Sequence, residues 1–361
     1  MYLSTMFAQK WTEKWRRFTI KLRHWEYWNF HFFYTPVYLY WIWLSLRARH
    51  FLFFTAANPA IETGGFLGES KNHIYEMLPQ QFVPQTIFIA RNTPFAQVVQ
   101  QAKVLDFPLI AKPDKGERGF LVEKIDTIEQ LEKYHAKTPA DFLLQEFLDY
   151  SEEVGVLYFR FPRQYKGQVS SLTLKEFLQV TGDGKNNVRG LMMEKDRAFL
   201  QIPFFEKHQP ELLEYVPAVS EKVALGAIGN HNRGTCFLNG NELIDENLTT
   251  VFDALTQNVE GFYYGRFDIK CESIAALKQG KNFRIIELNG VKSEPTHIYQ
   301  PNYSLLQAYR DIFFHWKTIW RIARINHQNG VAYMSYIEAY QRLRKLRQYW
   351  HEVEVAQAKQ P

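Results

Sequence analysis

The chain has 361 residues, enough to bury a sizeable core and to form two or three domains or subdomains. Its two cysteines, Cys236 and Cys271, lie far apart without a partner motif, which argues against a disulfide framework or zinc site and fits a reducing compartment. The net charge is +5, but residues 1–50 hold eight Lys/Arg against two Asp/Glu, so the rest of the chain sits near −1 and a nucleic-acid-binding role loses its support.

That N-terminal segment holds six of the nine tryptophans, and Tyr27 to Leu46 contains no Asp, Glu, Lys or Arg. Twenty uncharged residues reach the length of a membrane span. Tyr, Trp and Phe dominate the run, however, and it includes Asn29, His31 and Pro36. Aromatic rings with polar tips favour the membrane–water interface. Lys21 and Arg23 before the run, with Arg47 and Arg49 after it, suit an anionic leaflet. A secretory signal does not fit, because the apolar run starts late and no small-residue cleavage pattern follows. Three placements stay open: on a membrane surface, packed as an aromatic layer on the protein or a partner, or across the bilayer. The first is the expectation, giving a cytoplasmic protein peripheral on the inner face of the cytoplasmic membrane.

Residues 53–71 are rich in turn formers and read as a structured loop. A short strand is expected at 86–90 and a helix at 94–105, with Thr93 as N-cap and Pro94 at the first helical position. Strand 108–112 runs into a glycine-bearing loop, strand 120–125 follows at once, and a helix spans about 127–135. Further strands are expected at 142–147, 154–161, 168–174, 235–238, 264–270 and 283–289. The last sixty residues have helical periodicity broken near Asn329 and Gly330. The pattern is α+β.

Four stretches carry chemistry. Lys112 ends an apolar strand ahead of Gly116 and Gly119, which reads either as a surface hairpin or as a point charge and backbone N–H groups around a phosphate chain. In L-L-Q-E-F-L-D-Y-S-E-E, the stretch Glu146, Phe147 and Leu148 would be an extended connection meeting a purine edge, and Glu153 would accept from ribose hydroxyls. The alternative is two solvated carboxylates in a polar turn. In G-R-F-D-I-K, Asp268 is an acid inside an apolar strand, and in F-R-I-I-E-L-N-G, Glu287 and Asn289 stand two apart on one face. Asp268, Glu287 and Asn289 together supply three oxygen ligands from two strands, a set suited to nucleotide-bound Mg²⁺. Arg266, two residues before Asp268, shares its face and would neutralise charge on a transferred phosphoryl group or tetrahedral intermediate.

In this order the stretches resemble the ATP-grasp superfamily over roughly residues 70–300. F-P-L-I-A-K-P-D-K-G-E-R-G looks like that family's strand lysine and glycine loop, Q-E-F-L with Glu153 its adenine and ribose segment, and G-R-F-D-I-K with I-I-E-L-N-G its metal-binding strands. V-T-G-D-G-K resembles a loop of cyanophycin-synthetase-like ligases, or else is an ordinary tight turn. G-N-H-N-R-G-T is similar to the N-x-x-R-G segment of ribosomal-protein glutamate ligases, with Asn230 and Arg233 in those places.

The resemblance implies an ATP-grasp fold, two α+β subdomains clamping ATP, with ATP and Mg²⁺ or Mn²⁺ as cofactors. It further implies a carboxylate–amine ligase working through an acyl phosphate, with Lys175, Lys185 and Arg233 as further triphosphate or acyl-phosphate contacts. A kinase built on the same site and a nucleotide-binding scaffold without turnover are the alternatives. Arg160, Ser293, Glu294 and His297 flank the ribose and metal strands and are the candidate substrate contacts. The expected organisation is an aromatic, basic segment (1–58), an ATP-grasp domain (59–302, lid about 108–180) and C-terminal helices (303–361). Before residue 70 the chain departs from the family, which usually carries a complete α/β domain there, so neither substrate is inherited.

Overall fold

A computed structural model describes residues 2–116, 119–226 and 234–358. It opens with helices α1 (Tyr2–Arg23), α2 (Phe30–Ala48) and α3 (Lys71–Met77), strand β1 (Thr86–Ile89) and helix α4 (Phe95–Ala102). Strands β2 (Leu109–Pro113) and β3 (Glu123–Ile125), helix α5 (Ile128–Lys137) and strands β4 (Phe142–Glu146), β5 (Glu152–Phe159), β6 (Gln168–Glu176) and β7 (Gln179–Thr181) follow. Then come α6 (Val188–Glu194), α7 (Asp196–His208), α8 (Pro210–Glu214), β8 (Lys222–Ala224) and β9 (Cys236–Asn239). The chain closes with α9 (Glu246–Gln257), β10 (Tyr264–Cys271), α10 (Ile274–Lys278), β11 (Phe283–Asn289), α11 (Leu305–Gln328) and α12 (Tyr336–Ala358). Helices over antiparallel sheets make an α+β protein, as expected.

Two compact units divide the chain. The larger comprises Trp41–Thr173, Gly240–Pro295 and Ile312–Pro361. Within it, β1-β4-β2-β3 form an antiparallel sheet whose apolar face meets α4 and α5 around Ile89, Val98, Leu109, Leu131 and Phe142. Helix α5 starts where expected, with Thr127 accepting from the Gln130 N–H. Helix α4 starts one residue late and ends early: Pro94 holds the N-cap position, no side chain caps it, and Ala102 is its last residue. Strand β3 opens at Glu123 rather than 120, because Gly119 (φ 73°) and Leu121 (φ 50°) turn the chain through left-handed backbone first. A second sheet includes the order β11-β10-β5-β6. Phe267 on β10 packs against Phe252 of α9 and Phe262, which buries one face of that sheet.

The smaller unit comprises Met1–Tyr40, Leu174–Asn239 and Thr296–Asp311. Its core gathers Ile20 of α1, Val180 of β7, and Val188, Met192, Phe199 and Phe205 of α6 and α7. Helices α6, α7 and α8 over 188–214 were not expected from sequence; α6 is set by Asn187, whose side chain accepts from the Gly190 N–H.

Asn58 ties the loop before α3 to β10. Its Nδ2 donates to the Gly64 and Tyr264 carbonyls (3.1 and 2.7 Å), and its Oδ1 accepts from the Tyr263 and Tyr264 N–H groups (both 2.9 Å). The side chain is fully buried. Asn58→Ala strips this partner from the Tyr263 and Tyr264 N–H groups and the Tyr264 carbonyl, while the Gly64 carbonyl keeps the Val291 N–H, so we expect a loss of about 3 kcal/mol of stability, read as a lower urea midpoint at unchanged slope.

Candidate active site

The pairing of β10 with β11 changes phase at one residue. Cys271 and Ile269 stand opposite Phe283 and Ile285, while Asp268 and Arg266 stand opposite Glu287 and Asn289. Ile286 is the extra residue of this bulge. Without it, Phe283, Ile285, Glu287 and Asn289 would share one face by simple alternation. With it, the two apolar residues join the buried face and the two polar ones join Arg266 and Asp268 on the other. Adding β5, three rows cross this face: Glu153–Lys270–Arg284, Gly155–Asp268–Glu287 and Leu157–Arg266–Asn289. Gly155 leaves space beside the two carboxylates.

The bulge also frees a backbone acceptor. The Ile286 carbonyl accepts from Tyr75 Oη of α3 and from Lys112 Nζ (3.1 Å) at the end of β2. Lys112 donates further to Tyr75 Oη (2.7 Å) and Gln145 Oε1 (2.9 Å), so its three ammonium hydrogens are all engaged. Burial pushes its pKa down to about 8, with Glu287 pulling the other way. Helix α3 is held in place from both sides: Ser70 caps the His73 N–H, and Asp114 Oδ1 accepts from Ser70 Oγ and the Asn72 N–H (both 2.9 Å).

That docking carries Lys71 to the glycine loop, where its Nζ donates to the Gly116 carbonyl (2.7 Å). Desolvation holds Lys71 below the usual lysine range, against the pull of Glu287. Tyr75, Gly116, Lys71, Lys115, Glu287 and Asn289 line a cavity of about 400 Å³, with Glu69, Lys292, Phe120 and Trp350 on other walls. Lys292 pairs with Glu69 at 2.8 Å. Three lysines against two carboxylates leave the cavity electropositive, as a polyphosphate requires. Gly290, ending the E-L-N-G stretch, has a backbone reason: a Cβ there would lie 2.4 Å from the Gly64 carbonyl oxygen.

In the stretch expected to meet the base and ribose, Glu146 accepts from the Gln85 N–H (3.0 Å). The Phe147 ring lies under the ammonium groups of Lys124 and Lys270 at 5.1 and 5.6 Å. Lys270 also donates to the Leu148 carbonyl (3.2 Å), and Glu153 is buried opposite Lys270. Gly119 lies in a turn and does not line the cavity.

Other expected residues make contacts of their own. Arg160 donates to the Thr256 carbonyl (3.4 Å), and its buried Nε has no partner among the described residues. Ser293 Oγ donates to the Gly290 carbonyl in a turn, and Glu294 follows it. Lys175, Lys185 and His297 belong to the smaller unit. There Lys175 lies 5.9 Å over Phe237, and His297 Nε2 stands 3.3 Å from Asp311. The Lys185 N–H donates to Asp183 Oδ1 (2.8 Å) in a tight turn. Asn230 and Arg233 lie outside the described residues. Lys71, Tyr75 and Gln145 escaped sequence reading: Lys71 sits in a turn-rich stretch, and nothing local marks the other two.

A divalent cation fits the donors on the polar face. Arg266 Nε and Nη2 donate to the two Asp268 oxygens at 3.0 and 3.1 Å, so Asp268 retains only its remaining lone pairs. The buried Asn289 Nδ2 has no partner among the described residues, and the Glu287 carboxylate lines the cavity. Among the described residues no three His, Cys, Asp or Glu cluster as a closed metal cage. Two carboxylates and an amide oxygen instead suit Mg²⁺ or Mn²⁺ completed by phosphate and water oxygens.

No protein-family model matches the chain, and no curated protein does. Among solved structures it is similar to a bifunctional glutathione synthetase from Pasteurella multocida, at 15% identity and TM-score 0.38, covering 67% of this chain and 35% of that one. It is also similar to D-alanine–D-alanine ligase from Bacillus anthracis complexed with ATP, at 13% identity and TM-score 0.39, covering 72% and 68%. VanG D-Ala:D-Ser ligase from Enterococcus faecalis matches at 12% identity and TM-score 0.40, covering 68% and 61%. The chain thus spans about a third of the glutathione synthetase. The resemblance to the ATP-grasp superfamily rests on the order of the sequence motifs.

Folded Lys112 gives up its proton near pH 8, whereas the unfolded chain holds it to about 10.4. Between those values the unfolded state binds more protons, so the Lys112 contribution to stability rises with pH, by up to about 3 kcal/mol. Urea unfolding at pH 7.5 and 10 should show that rise in wild type relative to Lys112→Met; parallel pH profiles would contradict it.

Proposed function

We propose that the chain is an ATP- and Mg²⁺-dependent ATP-grasp ligase that activates a carboxylate as an acyl phosphate for attack by an amine or similar nucleophile. The observation that carries this reading is the bulge-shifted face of Arg266, Asp268, Glu287 and Asn289, with Glu287 and Asn289 opening on a lysine-lined cavity. In the first step a carboxylate oxygen of the substrate attacks the γ-phosphorus and the bond to ADP breaks. In the second, the nucleophile's nitrogen attacks the acyl carbon, phosphate leaves with the electron pair, and the amine loses a proton.

Such chemistry asks the protein mainly for position and charge. Lys71, Lys115 and Lys292 attract the polyphosphate, and the glycine loop, pinned by Lys71, shapes its path. Lys112 anchors α3 to β11 and lends its charge at short range. Arg266 pairs with Asp268 and stands ready to move toward a transferred phosphoryl group. A cation held by Asp268, Glu287 and Asn289 supplies further neutralisation of the phosphates when bound. Glu146, Phe147, Leu148 and Glu153 take the base and ribose in this reading. Lys175, Lys185, Asn230 and Arg233 keep the acyl-phosphate and triphosphate contacts that the resemblance implies, and Arg160, Ser293, Glu294 and His297 the substrate contacts. The same reading places the enzyme in the cytoplasm, peripheral on the inner membrane face.

Glu287→Gln should lower ATP turnover about a hundredfold or more with an unchanged circular-dichroism spectrum. Asp268→Asn should do the same, although it also breaks the Arg266 pair. Full turnover in both variants would remove the metal-site argument. With a turned-over substrate, hydroxylamine should trap a hydroxamate; a phosphorylated hydroxyl product without hydroxamate would make the chain a kinase.

A further inference from the structure

We infer that the outer faces of α1 and α2 form a surface that seats the protein on an anionic membrane, at the depth of the lipid headgroups. This specifies where the proposed membrane placement resides and is independent of the ligase chemistry.

Helix α2 is apolar around its whole circumference. A helix of that kind is normally covered on all sides. One side is covered here: Phe33 stacks between Trp25 and Tyr309 (4.8 and 5.2 Å), and Val37 and Leu44 are buried. The other side is bare. Phe32, Leu39, Ile42, Trp43 and Leu46, spaced three, four or seven apart, are 39 to 66% exposed. Helix α1 repeats the arrangement. Its inner side places Ile20 in the core and lays Arg16 and Arg17 over the Phe199 ring at 4.3 and 4.9 Å. Its outer side presents Trp11, Trp15, Phe18 and Leu22, 55 to 67% exposed. Bare stripes of this extent mark an interaction surface.

Charge selects the occupant. The two acidic residues of this segment face inward partners: Glu13 lies 3.9 Å from Arg17, and the largely buried Glu26 pairs with Arg197 at 2.9 Å. The exposed charges beside the stripes are Lys14, Lys21, Arg23, Arg47 and Arg49, all basic. The Arg47 guanidinium lies 4.9 Å from both the Trp43 and Trp320 rings, which holds an exposed positive charge at the edge of the apolar stripe. An aromatic, aliphatic stripe with a basic margin, where the carboxylates of Glu13, Glu26 and Asp196 are each paired with an arginine, is complementary to anionic headgroups over acyl chains. No helix among the described residues is long and apolar enough to cross a membrane. The surface therefore lies on the bilayer, and the earlier alternative of an aromatic layer packed on the protein describes only the inner faces.

Flotation of the full chain with phosphatidylcholine vesicles, with and without phosphatidylserine, tests this. Binding should be about tenfold or more stronger with phosphatidylserine and should weaken with salt. Leu39→Asp with Trp43→Ser, and separately Lys14→Glu with Lys21→Glu, should each lose about tenfold in vesicle binding while binding ATP as wild type does. Brominated lipid should quench wild-type tryptophan fluorescence, a readout that needs no variant. Absence of flotation and quenching would overturn the proposal, as would binding that neither double variant changes. A concentration-independent dimer that hides these tryptophans would overturn it in favour of a second copy of the chain. Resistance to carbonate extraction would overturn it in favour of insertion.

Discussion

Two carboxylates face each other across β10 and β11. Asp268 and Glu287 occupy directly opposed positions of an antiparallel pair, where like charges are destabilising. Arg266 offsets half of the problem by donating to both Asp268 oxygens. The remaining charge, on Glu287, acts on Lys112 and Lys71, raising the proton affinity of both against burial. A divalent cation between the strands would complete what the arginine begins.

The same pairing organises the rest of the larger unit's site. Because Ile286 is extruded, its carbonyl is available to Tyr75 and Lys112, which binds α3 and β2 to β11. Because α3 is held there, Lys71 reaches the glycine loop. Lys112 with a pKa near 8 is a group poised to respond to phosphate: a polyanion in the adjacent cavity favours its charged form. Its hydrogen bonds to Tyr75, Gln145 and Ile286 keep it ordered before any ligand arrives.

Much of this was legible in the sequence, for identifiable reasons. The strands of the two sheets show as apolar runs ending at polar residues, and Asp268, Glu287 and Asn289 stand out because each interrupts such a run. The bulge left one trace, the Ile285–Ile286 doublet, where strict alternation asks for a polar residue. Tyr75 and Gln145 were illegible because their role is created by tertiary contact, with no local signature. The helices of 188–214 were missed because only α6 has a side-chain N-cap, Asn187, and α7 carries Pro203 within it. Hydropathy along α2 showed a continuous apolar run but could not say which half of its circumference the protein covers. That depended on Trp25 and Tyr309, distant in sequence.

Central to the site is whether the β10–β11 face holds a cation with the nucleotide. Electron paramagnetic resonance of Mn²⁺ with a non-hydrolysable ATP analogue reads this directly. Wild type should immobilise Mn²⁺ in a protein–nucleotide complex, and Glu287→Gln should return the spectrum to that of free Mn²⁺–nucleotide while the protein stays folded. An identical bound-Mn²⁺ spectrum in both would contradict the assignment of Glu287 and, with it, the reason offered for the bulge.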